Sequence, residues 1–321
     1  MKHCLIAGLH VVIDTDDRPL LDRLAPRYAP FCHRASELEE APVLFTIHVT
    51  EPFASLQDAR QMAEFECEGS WCVYHESDDA VQITIQDQQT RETIAQMQCD
   101  RQFHDARCWL SGETPTREYC INNYMMMLFA FASMDHETLL FHASVIEREG
   151  KAYLFLAKSG TGKSTHSTLW LTHVPGCQLV NDDNPAVGVR DGEVIVYGTP
   201  WSGKTPCYRD IQFPVGGFVR ITRDTTNHIQ REHPVQAFAS LLPSCSGVKW
   251  DKKLYRAQGD ALSAVISRTP VYVLGCTPYR EAAVVCAQGV GAWDGVSEGK
   301  GFAVNQGSMK PYGVTLPAES L

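Results

Sequence analysis

The chain has 321 residues, 44% of them hydrophobic and 21% charged, which suits one large or two modest globular domains with a buried core. Its formal net charge of −10 argues against a general binder of nucleic acid or of an anionic membrane surface, while leaving room for a local loop that holds a nucleotide. Twelve cysteines are scattered with no C-x-x-C pair, as expected of free thiols in a reducing compartment rather than of a zinc site or a disulfide framework.

The opening stretch "MKHCLIAGLHVVIDTDD" reads as a strand and not as a signal peptide: His10 interrupts its apolar run and acidic residues end it. No run reaches ~18 apolar residues, so no membrane-spanning helix is expected, and the chain is placed in the cytoplasm. Residues 1–115 read as a β-rich accessory domain. "VLFTIHV", "WCVYH", "AVQITIQ" and "DARCWL" are short runs of β-branched and aromatic residues between polar stretches. "VQITIQ" alternates as a half-buried strand does. Nothing in this half groups into a catalytic constellation.

Residues 116–138 read as a connecting helix. In "TREYCINNYMMMLFAFASMD" the second half is apolar around nearly the whole circumference, which predicts burial between two layers. The run Met125–Met127 reads as adaptable packing.

Residues 139–290 mix strands and helices as an α/β domain does. "LLFHASVIE", "KAYLFLA", "CQLVND", "GGFVRITRD" and "TPVYVLGC" read as strands. "PAVGVRDGEVIVYG" reads as a hairpin turning at Asp191-Gly192. "PVQAFASLLPS" and "YREAAVVCAQ" read as helices, the former with Pro234 near its start. Residues 291–321, rich in Gly and poor in large aliphatics, read as a loosely ordered tail.

Between "KAYLFLA" and a helix reaching about His173 lies "AKSGTGKS". It matches the phosphate-loop pattern G-x-x-x-x-G-K-[ST] except that Ala157 replaces the first glycine. Gly160 and Gly162 let successive backbone N–H groups point inward toward phosphate oxygens at a helix start. Lys163 supplies positive charge near the β and γ phosphates, and Ser164 can hold a magnesium ion. A glycine-rich turn is the competing reading; the strand before the loop and the helix after it decide against that. The next buried strand ends in "LVNDDN", which puts Asp182 and Asp183 at a strand tip, where phosphoryl-transfer sites carry a metal or base carboxylate. Adjacent strand residues point to opposite sides, so one acid can face the metal and the other the acceptor.

"HASVI", then "SGTGKST", then "NDD" are similar in order and spacing to the catalytic domain of HPr serine kinases. The loop also resembles that of ATP-dependent phosphoenolpyruvate carboxykinase. The resemblance covers about Phe141 to Gln288. It implies an α/β (α+β) fold class: a P-loop core on a mixed sheet, here preceded by the β-rich domain, which does not resemble the usual partner domain of HPr kinases. By position, the resemblance implies that Lys158, Ser159, Gly160, Thr161, Gly162, Lys163, Ser164 and Thr165 bind the phosphates of ATP. It implies that Ser164 and Asp183 hold Mg2+, that Asp182 takes the proton of the acceptor hydroxyl, and that His142 lies near Asp182 and tunes it.

HPr kinases carry a later Gly-rich signature with a metal-site Glu, which has no counterpart here. "YGTPWSGKTPCYRD" stands in that region, and its Trp201, Lys204 and Arg209 are candidates to grip an acceptor or a phosphate. The expected function is a kinase that moves the γ-phosphoryl group of ATP to a hydroxyl, Ser of a protein or peptide first, or a small molecule. The expected partners are ATP and that acceptor, with neither nucleic acid nor membrane, and the resemblance implies a homo-oligomer. The alternatives are a nucleotide-binding regulator or slow NTPase and, further off, carboxykinase chemistry, for whose extra ligand sets the sequence shows no counterpart.

Overall fold

The computed structural model describes residues 1–295 other than 39, 68, 159 and 204. Ser159, Lys204 and most of the expected tail, 296–321, therefore lie outside the described residues. The fold is mixed α/β, with two mixed sheets of nine strands each and six α-helices among the described residues.

The first sheet is built from β1 (Lys2–Ile6), β2 (Leu9–Asp14), β3 (Cys32–His33), β4 (Val43–Val49), β5 (Arg60–Cys67), β6 (Ser70–Glu76), β7 (Ala80–Asp87), β8 (Thr93–Asp100) and β9 (Asp105–Leu110). Their spatial order is β3-β1-β2-β4-β9-β8-β7-β6-β5. β4 runs parallel to β2 and β9, and the other pairs are antiparallel. The opening stretch is a hairpin rather than one strand. Ala7 and Gly8 both take positive φ, 51° and 75°, as a two-residue turn between right-twisted strands requires.

A helix stands where the sequence suggested only strands: α1 (Arg18–Tyr28). Asp17 caps it by accepting from the Leu20 N–H at 3.1 Å, and its buried stripe is Leu20, Leu21, Leu24 and Tyr28. β7 also departs from the half-buried expectation, because its polar face is covered too. Gln82 accepts from the Leu56 N–H at 2.9 Å, and Gln98 donates to the Ala54 carbonyl at 2.9 Å, so the 50–58 loop lies over a row of satisfied amides.

α2 (Thr114–Ala132) encloses Tyr124, Met125, Leu128 and Phe129 completely. It packs on β4, β8 and β9, and the Phe129 ring meets Trp201 of the second half at 5.2 Å. Burial around the circumference follows from the apolar run, since no polar side is left to face water.

The second sheet contains β10 (Thr138–Leu140), β11 (Ser144–Arg148), β12 (Lys151–Leu156), β13 (Cys177–Asn181), β14 (Ala186–Arg190), β15 (Glu193–Tyr197), β16 (Gln212–Arg223), β17 (His228–Arg231) and β18 (Val271–Cys276). Its helices are α3 (Lys163–His173), α4 (Pro234–Leu241), α5 (Lys252–Ile266) and α6 (Arg280–Gly289). β12, β16 and β18 form a parallel trio. The β14–β15 hairpin turns where expected, with positive φ at Asp191 and Gly192. "LLFHASVIE" is two strands, β10 and β11. The chain breaks between them because His142 and Ala143 give their N–H groups to Ser244 and Asp183 instead of to a ladder. α5 is a further helix beyond those expected from the sequence. Residues 291–295 are not a loose tail: Ala292 bonds back to Ala287, and Trp293 packs on the cluster beside α6.

Strand periodicity sorts the core into two layers. Tyr153 and Phe155 of β12 face α3 and α6, against Trp170, Ala283 and Cys286. Ala152, Leu154 and Leu156 face the other way, into a buried cluster that runs without a break into the first sheet. The side chain of Phe155 is fully buried, which stabilises the fold by about 1.5–3 kcal/mol.

Candidate functional site

The carboxyl ends of the parallel strands β12, β16 and β18 meet at one edge, where α/β sheets place ligands. The loop between β12 and α3 turns on Gly160 and Gly162, at φ 74° and 124°. A Cβ built at either position would meet nothing within 4 Å, so open space adjoins both. Arg223 pins the loop by donating to the Gly160 carbonyl at 2.7 Å. α3 begins at Lys163 with Gly162 as its N-cap, and among the described residues no side chain caps its first-turn amides. Uncapped first-turn amides and a positive helix end are the groups with which an anion can be held.

Asn181 ends β13 and organises the turn that carries the two acids. Its side chain donates to Thr199 at 3.1 Å and accepts from the Asp183 N–H at 2.8 Å. Asp182 turns inward and is 8% exposed, accepting from the Ser144 hydroxyl at 3.2 Å. Ser144 in turn accepts from Ser167 of α3 at 2.7 Å. Asp183 turns outward, and its carboxylate stands 3.3 Å from His142 Nε2.

One cavity of about 910 Å³ gathers these groups. Lys158, Gly160, Gly162, Lys163, Ser164 and Thr165 line it from the loop, with Asp182, Asp183 and His142 beside them. Burial lowers the pKa of Lys163, while the carboxylates of Asp183 and Asp182 act to keep it charged. Burial raises the pKa of Asp183, opposed by Lys163 and reinforced by Asp182.

Several expectations change. His142 shares the cavity with Asp182, but it forms an ion pair with Asp183, to which the break after β10 carries it. Trp201 borders the cavity but is 2% exposed and packed on Phe129, so it is first a core residue. Arg209 does not line the cavity; it donates to Gln178 at 3.3 Å. Thr161 faces an adjoining cavity of about 460 Å³, which shares Gly160, Gly162 and Thr165 with the first and is walled by Leu169, Ile221, Cys276 and Pro278. No motif pointed to this second cavity, nor to the wall that α1 and α2 bring to the first: Arg23, Arg27, Glu118, Asn122 and Asn123.

Among the described residues no three His, Cys, Asp or Glu side chains cluster to cage a metal. Mg2+ does not need a cage, since it binds one or two carboxylates and completes its shell with water and substrate phosphate. The oxygen donors Ser164 and Asp183 on one cavity fit that chemistry. No helix among the described residues is long and apolar enough to cross a membrane.

No family model matches the chain, and no curated protein matches it. Among solved structures, the Hpr(Ser) kinase/phosphatase from Coxiella burnetii is similar over 46% of this chain and 86% of that one, at 12% identity and a TM-score of 0.28. A superposition that loose adds no weight to what the residues themselves present.

Proposed function

We propose that the chain is an ATP-dependent phosphotransferase that moves the γ-phosphoryl group to an acceptor hydroxyl. The observation that carries this reading is the shared cavity in which an open glycine loop, Lys163 and Ser164 stand with a strand-tip pair of acids. The nucleoside occupies the adjoining apolar-walled cavity, and the phosphates lie along the shared loop residues.

Loop amides and Lys163 hold the β and γ phosphates and draw charge from the leaving oxygen. Asp182, held by Ser144, receives the acceptor's proton. The bond between the γ phosphorus and the bridging oxygen breaks, the bond to the acceptor oxygen forms, and ADP leaves with the electron pair. Mg2+, held by Ser164 and Asp183, supplies neutralisation of phosphate charge when bound. Most of the rate gain is positioning and electrostatics, since phosphoryl transfer asks for little covalent chemistry from protein.

The deciding experiment incubates purified protein with γ-labelled ATP, magnesium and host-cell lysate, beside Asp182→Ala. Label on a discrete acceptor with wild type alone supports the proposal. Label released only as free phosphate favours a slow NTPase or nucleotide-binding regulator. One observation favours that second reading: the inward-turned Asp182 is already engaged by Ser144.

A further inference from the structure

The wall that α1 and α2 bring to the cavity carries charge that the phosphate machinery does not use. Arg23 and Arg27 stand four residues apart on α1, hence on one face. Both point their Nε at Glu118 of α2, Arg23 to Oε2 at 2.7 Å and Arg27 to Oε1 at 3.4 Å. The carboxylate is thus taken on both oxygens, its side chain 13% exposed. Among the described residues, the Nη groups of neither arginine make a hydrogen bond, and both side chains remain partly exposed to the cavity. Arg27 also lies over the Tyr208 ring at 5.3 Å, which restrains its plane.

Tying α1 to α2 takes one arginine and one glutamate; the second arginine leaves a positive charge unbalanced. Elsewhere in the cavity Lys158 and Lys163 are matched by Asp182 and Asp183. An unbalanced guanidinium pair, in a chain of net charge −10, with its outer donors uncommitted, is a fork for a carboxylate or phosphate. The rest of that wall mixes the amides of Asn122 and Asn123 with Pro115, Tyr119 and Met126. The volume, about 910 Å³, is within the ~300–1,000 Å³ of small-molecule sites and must also admit a phosphate tail.

We infer that Arg23 and Arg27, held by Glu118, bind an anionic group on the acceptor, so that the acceptor is a small hydroxyl compound bearing a carboxylate or a phosphate. This rests on the phosphotransferase reading and narrows its substrate class.

The test uses the small-molecule fraction of a host-cell lysate, split by anion exchange into anionic and uncharged pools. Each pool is offered with γ-labelled ATP and magnesium to wild type, the double variant Arg23→Gln/Arg27→Gln and its lysine counterpart. Binding of a fluorescent ATP analogue and thermal melting are followed in parallel. The expected result is label in the anionic pool. In the glutamine variant the acceptor KM rises roughly tenfold or more with analogue binding unchanged, and the lysine variant recovers part of the loss. If the glutamine variant does not melt cooperatively, the comparison of wild type with the lysine variant decides, since it keeps the charges and removes the fork. Treating the anionic pool with phosphatase, then removing the phosphatase, separates the sources: a lost acceptor bore phosphate, a surviving one carboxylate. Label in the uncharged pool, label on protein alone, or an unchanged KM in the variants overturns the anion fork and leaves the phosphotransferase standing. Analogue binding with no labelled product in any pool or on protein overturns both.

Discussion

Ser144 of β11 donates its hydroxyl hydrogen to Asp182, just past β13, across 3.2 Å of buried space. Ser167 of α3 donates to Ser144 at 2.7 Å, so the inward acid is tied through two hydroxyls to the helix that starts at the glycine loop. Replacing Ser144 by Ala leaves a buried carboxylate one donor short, at a cost of about 1.5–3 kcal/mol for a hydrogen bond to a charged group. Ser144→Ala is expected to melt earlier and to lose about tenfold or more in kcat, with KM for ATP held. Steady-state kinetics at saturating ATP check this; unchanged kcat shows that the hydroxyl does not position Asp182.

The two acids should fail differently. Asp182→Asn is expected to abolish transfer while ATP–magnesium still binds. Asp183→Asn is expected to weaken the magnesium dependence of nucleotide binding. Titrating magnesium against a fluorescent nucleotide, with each variant, separates the roles, and identical curves for the two variants would remove the division between them.

Gly162 sits at φ 124°, a backbone region that residues with a Cβ avoid at a cost of order 1–3 kcal/mol. Since an added Cβ meets nothing within 4 Å, Gly162→Ala acts through backbone strain and not through crowding. The expected outcome is roughly tenfold weaker ATP–magnesium binding, as strain relaxes the loop away from its phosphate-binding shape. Calorimetry on the variant gives the answer, and wild-type affinity would mean that the amides of this turn do not hold phosphate.

His166, one turn into α3, is 2% exposed, and burial pulls its pKa down to about 3. Its Nε2 accepts from the Trp170 indole at 3.1 Å, a bond only the neutral ring can make. Linkage sets the sign: below the unfolded value of about 6.5, the unfolded chain takes up a proton that the fold refuses. Stability from this residue is complete above that pH and is lost as pH falls toward about 3, with a slope of about 1.4 kcal/mol per unit. Denaturant titrations at several pH values should show a shallower acid loss in His166→Gln than in wild type. Parallel curves would mean that the ring is not held neutral.

The residues that gather at the candidate site were more legible in the sequence than the architecture around them. The glycine loop before α3 and the acid pair stand out through residue types that few other contexts demand together, and the turn at Asp191-Gly192 through residue types that tolerate positive φ. The second half of α2 declares its burial by having no polar side. α1 and α5 do carry helix signals: Asp17 and Asp251 both cap, and Leu254, Gln258, Ala261, Leu262 and Val265 repeat at helical spacing. Pro26 inside α1 speaks against a helix, yet α1 ends only two residues later. The split between β10 and β11 is not readable from the chain, because distant carbonyls at Ser244 and Asp183 decide it. The same holds for Arg23 and Arg27, whose place beside the loop depends on how two sheets pack.

The unbroken buried cluster has a practical corollary for anyone who would cut the molecule. A fragment beginning after α2 would uncover Trp201 and Trp250, which meet Phe129 and Tyr74 of the first half, and the remaining piece would bare those two rings. Each would offer apolar rings to its own copies, so the truncated second half is expected to go into inclusion bodies, while the two halves made together in one cell should rescue each other.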